Sequence, residues 1–235
     1  MKKFLSFILE RKDVMEHETG AINSLNLQIE KHKAESGSDH VPVKIGGKVH
    51  HITKAEKVPG TPTADFRLTD KSGNHIYLSH KAGSSVKDFQ QFSGTTQHAE
   101  HPAVQRLVKH IKSQHGGEGS KMGGTIATKL DRSNPEDNKL LHKAAFGVEH
   151  GSGRHGINNV HAIVQGPVSL TKHKQGHFEI TANHVYENRG GKGSLPKHIE
   201  GMVSARYMNR RKNHGLNNVR TGVLPVGSRT VKEFV

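Results

Sequence analysis

The sequence predicts an α/β fold of the α+β kind, a mixed β-sheet with a central hairpin flanked by helices. Three observations lead there. Val14, Ile22, Leu25 and Ile29 recur at helical spacing across residues 13–34. Residues 63–81 alternate apolar and polar side chains on either side of Asp70-Lys71-Ser72-Gly73-Asn74, the pattern of a hairpin about a five-residue turn. "HPAVQRLVKHIKSQ" (101–114) puts Val104, Leu107, Val108 and Ile111 on one face, with Pro102 suited to a first helical turn.

The remaining elements follow from punctuation. "ESGSDH" (35–40) reads as a loop, and Gly46-Gly47 turns the chain between "VPVKI" and "KVHHITKAEKV". "SSVKDFQQF" (84–92) predicts a short helix that Ser93-Gly94 ends. Ser133 with Glu136, and Pro135 between them, predicts a capping-box start for a helix running to about Ala145, where Gly147 stops it. Residues 158–187 are rich in strand signals, with a hairpin about Lys174-Gln175-Gly176. Residues 197–212 predict a further helix, and the tail returns to short strands. "GGEGSKMGG" (116–124) has the composition of a hinge but lacks the Gly-Lys-Ser/Thr ending of a phosphate-cradling loop. No repeat recurs, so residues 11–235 are expected to form a single basic domain.

Composition narrows the partner. Hydrophobic residues make up 31% of the chain and aromatics 5%, so the core is lean. The net charge is +14, which suits a polyanionic partner such as nucleic acid ahead of an anionic membrane surface. With no Cys, disulfides and thiolate metal sites are excluded and a reducing cytoplasm is tolerated. No apolar run approaches the length of a membrane span. The 20 His residues recur in pairs (His50-His51, His98/His101, His150/His155, His173/His177), but the last two pairs lie in Gly-containing turns rather than on one helix face.

The hairpin separates two faces. Ala64, Phe66, Leu68, Ile76, Leu78 and His80 fall on one, and Asp65, Arg67, Tyr77, Ser79 and Lys81 on the other. If Leu68 opposes Ile76, then Phe66 opposes Leu78, Asp65 opposes Ser79, and Lys81 lies diagonally beside Asp65. Glu18 falls on the apolar stripe between Val14 and Ile22, where a carboxylate is costly unless it is paired or metal-bound. The same residues also fit an ordinary solvent-facing strand surface and a Glu–Lys salt bridge.

The arrangement resembles the core of the PD-(D/E)XK nucleases, in which an Asp begins one strand of a hairpin and an acidic-x-Lys triplet ends the next. The resemblance implies a restriction-endonuclease-like fold and a Mg²⁺- or Mn²⁺-dependent DNA endonuclease. Asp65 and Glu18 would be the metal ligands, Lys81 the catalytic lysine, and Gln90 or Gln91 a support from the following helix. The pattern departs in two places: Pro62 does not directly precede Asp65, and Ser79 fills the acidic slot.

The first residues carry a second resemblance. "MKKFLSFILE" has apolar pairs at i,i+4 (Phe4/Ile8, Leu5/Leu9) and ends in Ile8-Leu9-Glu10. It resembles the capsid-targeting peptide of internal head proteins of T-even-type myoviruses. That likeness implies cleavage after Glu10 by a prohead protease, packaging in the phage head with the DNA, and delivery to the host cytoplasm. A non-enzymatic basic head protein that binds packaged DNA or counters host defence, or a virion structural protein, would share the charge and the targeting. Near the C-terminus Arg206, Arg210, Arg211, Lys212 and Arg220 concentrate positive charge. Arg206 and Arg210, one helical turn apart in the expected helix, would contact successive phosphates.

Overall fold

The structure is a computed structural model. It describes the backbone of all residues except 1, 61, 86–87, 89–90, 95–97, 116–124, 190–194, 197, 208–218, 228–230 and 234–235. For residues 2–16, 94, 115 and 231–233 it describes the backbone alone. It is a mixed α+β protein whose chain forms two compact, interleaved units: Met1–Ser85 with Glu149–Leu195, and Val86–Val148 with Pro196–Val235. No helix among the described residues is long and apolar enough to cross a membrane.

The first unit begins with helix α1 (Lys2–Ser36), longer than the 13–34 expected. Its apolar stripe does what the spacing predicts: Ala21, Ile22, Leu25 and Ile29 are buried against the sheet. Leu25 and Ile29 are fully covered, each contributing about 1.5–3 kcal/mol by leaving water.

Beneath α1 runs a meander of β1 (Val41–Ile45), β2 (Lys48–Lys57), β3 (Phe66–Asp70) and β4 (His75–Lys81), each antiparallel to the next. Gly46 and Gly47 both take positive φ at the β1–β2 turn, where only glycine turns without strain. At the β3–β4 turn the Asp70 carboxylate accepts from the Ser72 and Asn74 N–H groups, and Gly73 supplies positive φ.

After the second unit's first segment the chain returns as β7 (Ala162–Gln165), which pairs in parallel with β4. Strands β8 (Ser169–Lys172), β9 (Phe178–Thr181) and β10 (His184–Glu187) complete an eight-stranded mixed sheet of order β10-β7-β4-β3-β2-β1-β9-β8. The β8–β9 hairpin lies about residues 174–176, as the turn residues indicate.

Strand β2 carries a register shift between Ile52 and Lys54. It is why Ile52 and Ala55, an odd number of residues apart, both face the core under α1. Asn26 of α1 closes this irregular stretch. Its side chain donates to the Ala55 carbonyl (2.9 Å) and accepts from the Ala55 N–H (2.7 Å).

The second unit holds a five-stranded sheet of order β13-β6-β11-β12-β5: β5 (Ser93–Gly94), β6 (Thr125–Lys129), β11 (Gly201–Tyr207), β12 (Val219–Pro225) and β13 (Val231–Glu233). Helix α2 (Pro102–His115) packs on β6, β11 and β12. It therefore flanks this sheet, not the one that holds the hairpin, as the sequence reading had it. Helix α3 (Pro135–Phe146) is capped by Asn134, which accepts from the Glu136 and Asp137 N–H groups. Ser133 instead donates to Asp131, so the capping-box assignment is one residue off.

The helix expected over 197–212 is also corrected. Residues 201–207 form β11, central in its sheet and buried from Gly201 through Ala205. Of the short helix expected over 84–92, residues 86–87 and 89–90 lie outside the described residues, as does the whole hinge over 116–124.

Candidate functional site

The hairpin register is the one its alternation predicts: Phe66 faces Leu78 and Leu68 faces Ile76. Asp65 immediately precedes β3, and its backbone is tied on both sides. Its N–H donates to the Leu78 carbonyl, and its own carbonyl accepts from Val58. The carboxylate then turns toward the end of β4. Asp65 Oδ2 accepts from Ser79 Oγ at 2.9 Å and from the His80 N–H at 2.6 Å. Ser79 is fully buried. In the acidic slot it therefore acts as a donor that fixes Asp65, where an acid would repel it.

Glu18, on α1, lies within electrostatic range of Asp65 and Lys81. Its side chain is only 15% exposed, and the Lys57 ammonium stands 3.5 Å from Oε2. Burial pushes the Glu18 carboxyl above its ordinary range, and the nearby Asp65 charge pushes it further, while Lys57 and Lys81 pull the other way. Two carboxylates from distant parts of the sequence thus share one field with two lysines.

Strand topology explains the convergence. Lys57 ends β2, Asp65 directly precedes β3, Lys81 ends β4 and Gln165 ends β7, so these residues lie at one end of four adjacent strands, Lys57 on the face of Phe66 and Leu78 and the Lys81–Gln165 register pair on the other. Gln165 lies in register with Lys81 and is completely buried. Its Nε2 donates to the carbonyls of Ala82 (3.1 Å) and Ser85 (2.7 Å), fixing the chain just past Lys81. Its Oε1 has no partner among the described residues.

The Gly166 N–H donates to the Lys81 carbonyl, and His80 Nε2–H donates to the Gly166 carbonyl at 2.9 Å. Burial holds the His80 imidazole below its ordinary range, so it stays neutral in this donor role. At Gly166, with φ of +79°, an added Cβ would meet Asn183 Nδ2 at 2.5 Å and the Gly83 carbonyl at 3.1 Å. Only glycine fits that crossing.

Among the described residues no group of three or more His, Asp or Glu is disposed to hold a metal. Glu18 and Asp65 are a pair. A pair suits Mg²⁺, which keeps several waters and takes one or two carboxylates together with substrate phosphates.

Of the other expected site residues, Gln90 lies outside the described residues, as do Arg210, Arg211 and Lys212. The side chain of Glu10 also lies outside them, though its backbone is helical in α1. Gln91, in the second unit, lies close to the β12 glycine Gly222. Arg206 and Arg220 are described, but on strands: they are direct cross-strand partners in β11 and β12. The helical-turn argument for Arg206 with Arg210 therefore falls, because residues 201–207 are extended. His98 and His101 belong to the second unit, and His101 stands 3.4 Å from Asp137.

Lys57, His80 and Gln165 went unpredicted as site residues. For Lys57 the signal was hidden by the register shift in β2, and for Gln165 by the intervening second-unit segment. Comparison of the chain with family models, with curated proteins and with solved structures yields no match.

Proposed function

We propose that the first unit carries a metal-dependent phosphodiesterase site of the PD-(D/E)XK kind and that the protein is a DNA endonuclease. The observation that carries the reading is the convergence of Glu18, Asp65 and Lys81, residues brought from α1, β3 and β4 into one electrostatic site. The finer fold expectation, restriction-endonuclease-like, is supported by the same order: a helical Glu, then an Asp opening one hairpin strand, then a Lys ending the next.

Glu18 and Asp65 would hold Mg²⁺, whose chemistry there is to polarise a phosphate and acidify a bound water. The chain's own groups do the rest. Ser79 Oγ and the His80 N–H hold the Asp65 carboxylate in one orientation through Oδ2. Lys81 would orient the attacking water or stabilise charge developing on the phosphate oxygens. Gln165 and Gly166 immobilise the backbone on which Lys81 sits. The partner implied by a charge of +14 is duplex DNA, bound mainly through its phosphates. Packaging in a phage head, with processing after Glu10, is the biological setting we propose for it.

The test is incubation of the full chain with supercoiled and linear DNA in Mg²⁺, in Mn²⁺ and in EDTA. Asp65→Asn and Lys81→Met are run in parallel. Metal-dependent cutting that falls by ~10²-fold or more in both variants is the expected result, the scale for losing a group that stabilises developing charge. Salt-sensitive binding without cutting, equal in all three proteins, overturns the catalytic reading and leaves a basic DNA-binding protein.

A further inference from the structure

Lys57 lies on the helix-facing side of the sheet because the β2 register shift puts it two residues beyond the buried Ala55. A lysine there has two possible roles, and a neighbour shows what the structural one looks like. Lys33, between the same helix and strand, is 19% exposed and bonds both Glu30 (2.8 Å) and the Thr53 carbonyl (2.7 Å). Lys57 is 47% exposed, and its ammonium is 3.5 Å from Glu18, longer than a charge-assisted hydrogen bond. That contact is longer and more exposed than the two bonds that hold Lys33.

The Glu18–Asp65 pair needs positive charge beside it. A divalent cation held by these carboxylates would supply that charge and would compete with Lys57 for Glu18. The released ammonium would offer three donors on a flexible stem to a phosphate.

We propose that Lys57 is a phosphate-binding residue of this site, held on Glu18 until a divalent cation takes that carboxylate and then released to the DNA backbone. It rests on the metal-dependent reading above. Lys57 thereby couples metal occupancy to substrate affinity: the full phosphate-binding charge appears only when the site is loaded.

The test uses a fluorescein-labelled phosphorothioate duplex of mixed sequence, which slows hydrolysis. Its binding to the full chain, to Lys57→Gln and to Lys57→Arg is followed by anisotropy across a salt series, in Mg²⁺ and in EDTA. In Mg²⁺ the Gln variant is expected to bind more weakly, with a plot of log K against log salt shallower by about 1. The Arg variant keeps the wild-type slope, and in EDTA the slopes of all three coincide.

Mn²⁺ binding without DNA, read by paramagnetic resonance, is expected to tighten several-fold in Lys57→Gln because a competing cation is gone. Equal slopes in Mg²⁺ alongside normal Mn²⁺ binding overturn the role of Lys57 alone. A slope difference of the same size in EDTA overturns the exchange. A wild-type chain that binds no Mn²⁺ overturns the metal-dependent reading itself, whatever the slopes.

Discussion

His161 shows how a single half-buried base ties this fold to pH. Its Nδ1 accepts the Tyr77 N–H at 3.0 Å, and its ring stacks on His155 at 4.1 Å. Burial, with the His155 and His50 charges adding to it, pushes the imidazole down to about 3. In the unfolded chain the same ring takes up a proton near its ordinary value of about 6.5. Between these two values the unfolded state binds the extra proton and the folded state does not. The stabilisation is therefore complete above the upper value and is lost as pH falls through the window. One such group costs about 1.4 kcal/mol per pH unit across it. Urea titrations at neutral pH and at moderately acid pH are expected to show that loss. His161→Asn, whose side-chain oxygen can still accept from Tyr77, should show a correspondingly flatter dependence.

At the scale of elements, the anchoring of α1 decides whether Glu18 reaches its partners. Asn26 satisfies both backbone groups of Ala55 where β2 is irregular. Asn26→Ala leaves a buried N–H and C=O unpaired, and thermal unfolding is expected to report a loss of about 1–3 kcal/mol. Glu18 lies two turns toward the N-terminus on the same helix, so Mn²⁺ binding should weaken as well.

What the sequence disclosed follows the same division. The β3–β4 hairpin was legible to the register because one face is apolar and the other polar, and a slip by one residue would expose the apolar set. Strand β11 was not, because Gly201–Ala205 is buried on both faces and lacks the two-residue period that marks a half-exposed strand. Asp65, Ser79 and Lys81 could be grouped from spacing alone, and Glu18 by its discordant place on an apolar stripe. Lys57 and Gln165 needed the register shift of β2 and the parallel return of β7, neither of which has a local signature.

For the whole molecule the dominant quantity is charge. At +14 the chain should bind DNA with an affinity that falls linearly, in logarithms, as salt rises. In the second unit the Arg206–Arg220 pair sets two like charges directly opposite each other on β11 and β12, an arrangement that costs stability in isolation. Arg206→Gln and Arg220→Gln are each expected to flatten the salt dependence by about 1 while leaving the cleavage rate at saturating DNA unchanged.

The interleaving of the two units has a consequence for how the protein is made. A ribosome releases α1 and the meander through β4 well before β7, since residues 86–148 of the other unit come between. Until β7 emerges, β4 is an open edge, and the Gln165 bonds that fix the chain beyond Lys81 do not exist. Translation proceeds at roughly 5–20 residues per second. The nascent chain therefore spends seconds with its carboxylates and lysines synthesised but unassembled, and any product truncated before residue 165 never completes the site.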